Sequence, residues 1–383
     1  MRTMKNLGNL LVVTAIVLIA ALGCRRIDST DSQFPACVTP DGKKIGFGYG
    51  SRNFVIDGNS GKIIKEFYRN AKHAALVCSP KNEILAVYSS EIVNIETEKS
   101  RPRRIADSTV IGINSNNFLV GYSTPKIGKR RGEEIELLVE RPDDQTDDVR
   151  LLKLPLEKLG AVERNRSSFL TLPVRLIKNN ELLVFAGGKT RTIPADEFEE
   201  FGPDIWGFYR VGLKNGEISP TKAIDKSDDL AGLFNLPLLD ATADGKLAAA
   251  AFSNTDSKVV FVFDTETGEE IFRHTFDDLT KGGRNGLKLS ELQSIAISKD
   301  GTTLAVAGIM ADYARSRYKK ESKIFIYDLK TKLLSSEIPV DDGEMSLISF
   351  DKNEIILKLR GKGIVKLDTP GNKVIWRSEL PKS

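Results

Sequence analysis

The feature that most restricts this chain is an alternation of two short motifs, each written seven times. The first is a polar turn, often Asp-Gly or an Asn-containing equivalent, followed by a short apolar run. It reads TPDGKKIGFG from Thr39, SPKNEILAVYS from Ser79, NSNNFLVGYS from Asn114 and IKNNELLVFAG from Ile177. It returns as TADGKLAAAAFS from Thr242, SKDGTTLAVAG from Ser298 and FDKNEIILKLRG from Phe350. The turn's second Gly or Asn falls at 42, 82, 117, 180, 245, 301 and 353, a mean spacing of about 52 residues. Both residue types accept positive φ at little cost.

The second motif is an apolar strand, an acidic or polar turn and a return strand. FVFDTETGEEIFRHTF, from Phe261 to Phe276, shows it in full. Other copies begin at Phe54, Ile92, Ile135, Trp206, Ile324 and Gly363. Each repeat therefore holds four strands, A to D, rich in Val, Ile, Phe and Leu and bounded by Gly, Asn and Asp. Such a sheet is apolar on both faces and cannot shield itself, so it must stack on copies of itself. The predicted fold is all-β, a seven-bladed β-propeller of four-stranded antiparallel blades forming a single domain over residues 34–383.

SKDGTTLAVAG with IFIYDLKTKLL resembles the WD-repeat and YVTN-type propeller superfamily, whose blades repeat a Ser-Pro-Asp-Gly-like turn and an Ile-Tyr-Asp-like strand. FDTETGEEIF and LDTPGNKVIW are similar to the blade turn of quinoprotein-like propellers. The resemblance covers about residues 34–381 and implies the fold; propellers host enzymes, scaffolds and receptors alike.

The start of the chain is of another kind. Arg2 and Lys5 precede an uncharged run from Leu7 to Gly23 and then Cys24, the layout of a secretory signal. ALGC at Ala21–Cys24 resembles the lipobox of bacterial lipoproteins, which implies a signal peptide over 1–23, lipidation of Cys24 and a tether over 24–33. An uncleaved signal anchor is the alternative. By the same resemblance Arg25, in place of Asp, implies the outer membrane or cell surface. Removal of Arg2 and Lys5 takes the formal charge from +4 to +2, which argues against nucleic acid as a partner. Cys37 and Cys78 remain. In an oxidising compartment they could pair, but aligning VTPDG with CSPKN sets Val38 opposite Cys78, so the thiols fall on opposite pleat faces and two free, buried thiols are the leading expectation.

Extra length is unevenly placed. The A–B turns and most C–D turns are short, whereas long insertions follow Tyr122, Gly188 and Met310 between strands B and C, and Pro155, Asp225 and Phe276 between blades. All six fall on one rim, where recognition is usually built. Basic loops of the third and sixth blades stand apart from acidic loops of the fourth and fifth, an arrangement suited to orienting a protein partner in the cell envelope. Candidate contacts are Lys129, Arg130, Arg131, Arg315, Arg317, Lys319 and Lys320, with Phe198, Phe201, Tyr313 and Tyr318 as anchors.

Catalytic signatures are sparse. The chain has two histidines, His73 and His274, placed before strand A of the second blade and in strand D of the fifth. It has no Gly-x-Ser-x-Gly elbow and no Gly-Lys-Ser/Thr phosphate loop. No cofactor is expected, although a central channel could gather carboxylates from distant blades around a metal ion. The leading expectation is a monomeric, lipid-anchored, extracytoplasmic interaction scaffold. A metal-dependent hydrolase or lactonase, a quinoprotein-like oxidoreductase and a carbohydrate or small-ligand receptor stay open as alternatives.

Overall fold

The repeat count is met in a computed structural model. It describes residues 36–49, 51–69, 73–103, 109–113, 117–123, 134–140, 149–155, 174–178, 180–191, 201–224, 237–242, 244–253, 258–276, 288–312, 319–340, 344–359 and 362–378. The first blade is β1 (Ala36–Val38), β2 (Lys44–Tyr49), β3 (Arg52–Asp57) and β4 (Ile63–Tyr68). The second is β5 (His73–Cys78), β6 (Ile84–Tyr88), β7 (Glu91–Asn94) and β8 (Ser100–Pro102). The third is β9 (Thr109–Ile113), β10 (Leu119–Ser123), β11 (Glu134–Glu140) and β12 (Val149–Pro155). The fourth is β13 (Val174–Lys178), β14 (Glu181–Arg191), β15 (Phe201–Gly212) and β16 (Ile218–Ile224). The fifth is β17 (Leu238–Ala241), β18 (Leu247–Ser253), β19 (Lys258–Asp264) and β20 (Glu270–Phe276). The sixth is β21 (Lys288–Ile297), β22 (Thr303–Asp312), β23 (Lys319–Asp328) and β24 (Leu333–Val340). The seventh is β25 (Met345–Asp351), β26 (Glu354–Leu359), β27 (Gly363–Asp368) and β28 (Lys373–Ser378). In every sheet the strands lie in chain order and pair antiparallel.

Seven apolar clusters fill the seven joints between neighbouring sheets. The period-2 alternation of a strand decides which joint each side chain enters. In β18, Ala248, Ala250 and Phe252 face the fourth blade, whereas Ala249 and Ala251 face the sixth. In β19, Val259, Phe261 and Phe263 divide from Val260 and Val262 in the same way. Run-on apolar strands are thus a consequence of burial on both faces. The last joint closes the ring: Ile356, Ile364 and Trp376 of the seventh blade pack with Ile45, Phe47, Phe54 and Ile56 of the first. Among the described residues no strand is exchanged there, because β1 to β4 and β25 to β28 each form a four-stranded sheet.

The first motif is explained by its hydrogen bonds. The hydroxyls of Thr39, Thr242 and Ser298 donate to Asp41, Asp244 and Asp300 at 2.7, 2.7 and 2.6 Å. Each Asp also accepts an N–H two residues on, from Lys43, Lys246 and Thr302. Gly42, Gly245 and Gly301 then take φ of 71°, 69° and 70°. In the seventh blade the left-handed residue is Lys352, not the expected Asn353. There Asp351 pairs with Glu354, so the turn has two residues and the left-handed position moves one earlier.

The expectation of free thiols at Cys37 and Cys78 is overturned: they form a disulfide. The one-residue offset that puts them on opposite pleat faces is what brings them together. Blades stack face to face, so the forward face of β1 meets the backward face of β5. Both cysteines are half-buried. His73, expected to precede strand A of its blade, opens β5 instead and pairs in register with Tyr88.

Candidate functional site

Consecutive antiparallel strands put the A–B and C–D turns at one end of the sheets and the B–C and blade-to-blade connections at the other. That second end is the rim where the long insertions gather. Part of their length is strand. β14 has 11 residues and β22 has 10, against 7 for β18 between them. At about 3.3 Å per residue, the fourth and sixth blades overshoot the fifth by roughly 10–13 Å. The pairing runs to Arg191↔Phe201 in one hairpin and to Asp312↔Lys319 in the other, while the fifth blade stops at Ser253↔Lys258. Two β-ribbons therefore stand above the fifth blade on either side.

Of the candidate contacts, Phe201 opens β15, and Lys319 and Lys320 open β23. Those three are carried by the raised ribbons. Lys129, Arg130, Arg131, Phe198, Tyr313, Arg315, Arg317 and Tyr318 lie outside the described residues, as does Cys24. At the foot of the fourth-blade ribbon, half-buried Trp206 stacks on Phe185 with centroids 5.6 Å apart and planes at 13°. Phe252 of the fifth blade meets Phe185 edge-on at 5.4 Å. An aromatic joint thus supports the ribbon at the rim, a placement that an apolar run around Trp206 signals only as burial.

The inner strands carry a second polar set that residue spacing did not single out. Three backbone N–H groups of β21 and β25 donate to side chains of the preceding blade. Asp240 Oδ2 accepts from Ile297 N at 3.0 Å, Gln293 Oε1 from Met345 N at 3.1 Å, and Ser294 Oγ from Leu347 N at 3.0 Å. Arg175, half exposed, lies 3.7 Å from Asp240. Burial holds the Asp240 carboxyl above the ordinary carboxylate value, against the opposing pull of Arg175 and of the Ile297 and Ala241 N–H groups. Asp240 thus bridges three consecutive blades by its innermost strands. Among the described residues no group of three or more His, Cys, Asp or Glu side chains is placed to hold a metal ion.

No protein-family model matches the sequence, and no curated protein sequence aligns with it. Solved structures do match in fold. The Kluyvelomyces marxianus protein Hsv2 superposes with a TM-score of 0.54 at 10% identity, over 91% of this chain and 98% of that one. The β-propeller domain of Myceliophteria thermophila Cps50 (Swd1) gives 0.53 at 11% identity, over 88% and 95%. Atg21 (KlAtg21), solved with the coiled coil of Atg16 (AgAtg16), gives 0.52 at 11% identity, over 87% and 93%. At such identities the likeness is one of fold. The chain is a seven-bladed β-propeller.

Proposed function

We propose that this propeller is an extracytoplasmic lipoprotein, held to a membrane through Cys24, whose long-loop rim binds a protein partner without catalysis. The Cys37–Cys78 disulfide carries the compartment part of this reading. Such bonds persist in oxidising compartments and are rare where thiols are kept reduced. The pair lies between innermost strands of two blades, so it joins the ring early in the chain rather than decorating a surface. It also agrees with the secretory layout of residues 1–23. The membrane is the outer membrane or the cell surface, following Arg25 after Cys24.

The binding part rests on the one-sided rim. Two ribbons raised on a rigid ring offer a fixed frame for a partner, with opposite loop charges on neighbouring blades to set its register. The solved pairing of Atg21 with a coiled coil supports this reading as an instance of the fold holding a protein.

The test uses the full chain with a tag in a bacterial host fed an alkyne fatty acid. Fatty-acid incorporation in the intact protein and its loss in Cys24→Ser are expected. Mild cross-linking in membranes should then recover a protein whose yield falls at least fivefold in Lys319→Glu/Lys320→Glu. No lipid on the parent chain would remove the anchor. Recovery indifferent to the rim, or ester turnover abolished by Asp240→Asn, would move the protein to a different class.

A further inference from the structure

Few large apolar side chains are exposed among the described residues, and all but Leu151 stand on three consecutive blades. Leu333 and Leu334 open β24 of the sixth blade, Val374 and Ile375 lie near the start of β28 of the seventh, and Ile64 and Tyr68 are on β4 of the first. Their exposure runs from 43% to 66%. All are on the outermost strand of their sheet, and all but Tyr68 sit beside the C–D turn, at the end opposite the long-loop rim. The corresponding strand starts of the second, fourth and fifth blades read Ser100-Arg101, Ile218-Ser219 and Glu270-Ile271. Single exposed apolar residues are ordinary, but a set gathered in one sector marks a contact surface. The sector is continuous. Asn372 Nδ2, in the C–D turn of the seventh blade, donates to Glu337 O of β24 at 3.2 Å, and the first blade's C–D turn lies against Trp376 of β28 through Gly58 O and Gly61.

Charge, edge and curvature say what covers it. Exposed Lys62, Lys330, Lys332 and Lys373 flank the apolar residues, and none is in an ion pair among the described residues. The nearby acids are engaged. Glu66 pairs with Arg52 and Glu337 with Lys323, while Asp57, Asp328 and Asp368 accept N–H groups of their own turns. What reaches outward is ammonium, which calls for carboxylates on the partner. The strand edges are blunted. Ile64, Ser335 and Ile375 are each an extra residue against strand C, and such bulges oppose pairing with an added strand. The surface is also convex. Seven sheets about 10 Å apart at mid-sheet, with outer strands about 7 Å further out, set the sixth and first outer strands roughly 30 Å apart around the ring and about 100° apart in direction. A flat bilayer or a straight helix resting on the seventh blade would stand about 7 Å clear of the other two. An extended chain of about ten residues bends around that arc.

We infer that the outer belt of the sixth, seventh and first blades binds an extended segment of a partner protein, rich in large apolar residues and in Asp or Glu, which crosses the outer strands instead of pairing with them. This surface is separate from the long-loop rim and owes nothing to the lipid anchor.

The full chain in detergent is used to select from a displayed library of random twelve-residue peptides. The selected peptides should combine large apolar residues with Asp or Glu. One synthetic peptide of that consensus is then followed by fluorescence anisotropy. Its binding should weaken at least tenfold in Leu334→Ser/Ile375→Ser and at least threefold in Lys330→Glu/Lys373→Glu, with the melting temperature of each variant unchanged. Lys319→Glu/Lys320→Glu, on the rim, should leave it unaltered. A selection without a consensus, or peptides indifferent to the belt variants, overturns the inference, and a consensus without acidic residues overturns its charge. A dimer in sedimentation that the belt variants abolish would assign the face to a second copy. Quenching by nitroxide-labelled phospholipid of a fluorophore at Lys373→Cys, in vesicles holding the acylated chain, would assign it to the bilayer. Either result overturns the peptide.

Discussion

Lys332 sits in the C–D turn of the sixth blade at φ 62°, where Gly61, Gly216 and Gly268 stand in other blades at φ 72°, 70° and 71°. A residue with a Cβ is strained there by about 1–2 kcal/mol, of which the backbone freedom of glycine returns roughly half. Lys332→Gly should therefore raise stability by about 0.5–1 kcal/mol, read as a higher denaturant midpoint at unchanged slope. Gly61→Ala should do the reverse. Its Cβ would lie 2.5 Å from Trp376 Cε3, so the left-handed strain adds to displacement of the seam tryptophan. A loss of about 2–4 kcal/mol is expected in the same measurement. Asp240 is a residue of another sort. Its folded pKa is raised, so its contribution is present below the ordinary carboxylate value and is lost as pH rises through the raised one. Asp240→Asn keeps an oxygen for the Ile297 N–H and cannot ionise. The difference in melting temperature, variant minus parent, should grow in the variant's favour between pH 3 and 7. A flat difference would show that this carboxylate folds without penalty.

Among the described residues, the joint between the first two blades carries several polar ties. Lys44–Glu96 at 2.7 Å, Lys65–Glu98 at 2.8 Å, Arg69–Glu91 and the Asn53–Tyr88 hydrogen bond cross it beside the disulfide. The ion pairs are half exposed and individually weak. The disulfide is different in size: closing a separation of 41 residues is worth about 4 kcal/mol on the loop-entropy relation. Cys37→Ser/Cys78→Ser should lose about 2–4 kcal/mol of unfolding free energy, and exchange protection should fall first in β1, which has three residues. Equal protection with and without the bond would mean that packing alone holds β1. This pair also shows where reading the chain fails. Periodicity in VTPDG and CSPKN reveals which face a residue takes, but not that two sheets meet face to face. The same limit hides the ribbons, because Gly188–Arg191 and Phe201–Ile205 have the composition of a loop. It hides the extra residues in strands β4, β16, β20, β24 and β28, where the pairing with strand C shifts register. Asp240 is invisible for a related reason: its partners Arg175 and Ile297 lie 65 and 57 residues away, in other blades. What was legible was local: seven turn-and-strand copies, the hydroxyl–Asp–Gly turns, and the rim on which length accumulates.

At the scale of the whole ring, every joint has the same construction, an apolar cluster shared by two neighbouring sheets, and the seam is no exception. Trp376 Nε1 donates to Gly58 O at 3.2 Å, and Lys366 Nζ reaches the same carbonyl at 3.4 Å. Because no described strand crosses the seam, the break in the chain between the seventh and first blades has no special place in the packing of the described residues. Connections elsewhere show how little chain a joint needs: four residues separate β4 from β5, and four separate β24 from β25. A circular permutant should therefore fold when Ser378 is joined to Ala36 by five or six flexible residues and the chain is opened within 225–236. Bringing the ends together covalently removes freedom from the unfolded chain, so its melting temperature should equal or exceed that of residues 36–378 in native order. Trp376→Ala gives the control. If the seam is an ordinary joint, this substitution should cost about 3–5 kcal/mol in native order and nearly as much in the permutant, since the same cavity opens in both. A permutant that folds only with Trp376 present, while the native order tolerates its loss, would instead mean that the ring normally closes from the seam inward and that the joints are not equivalent.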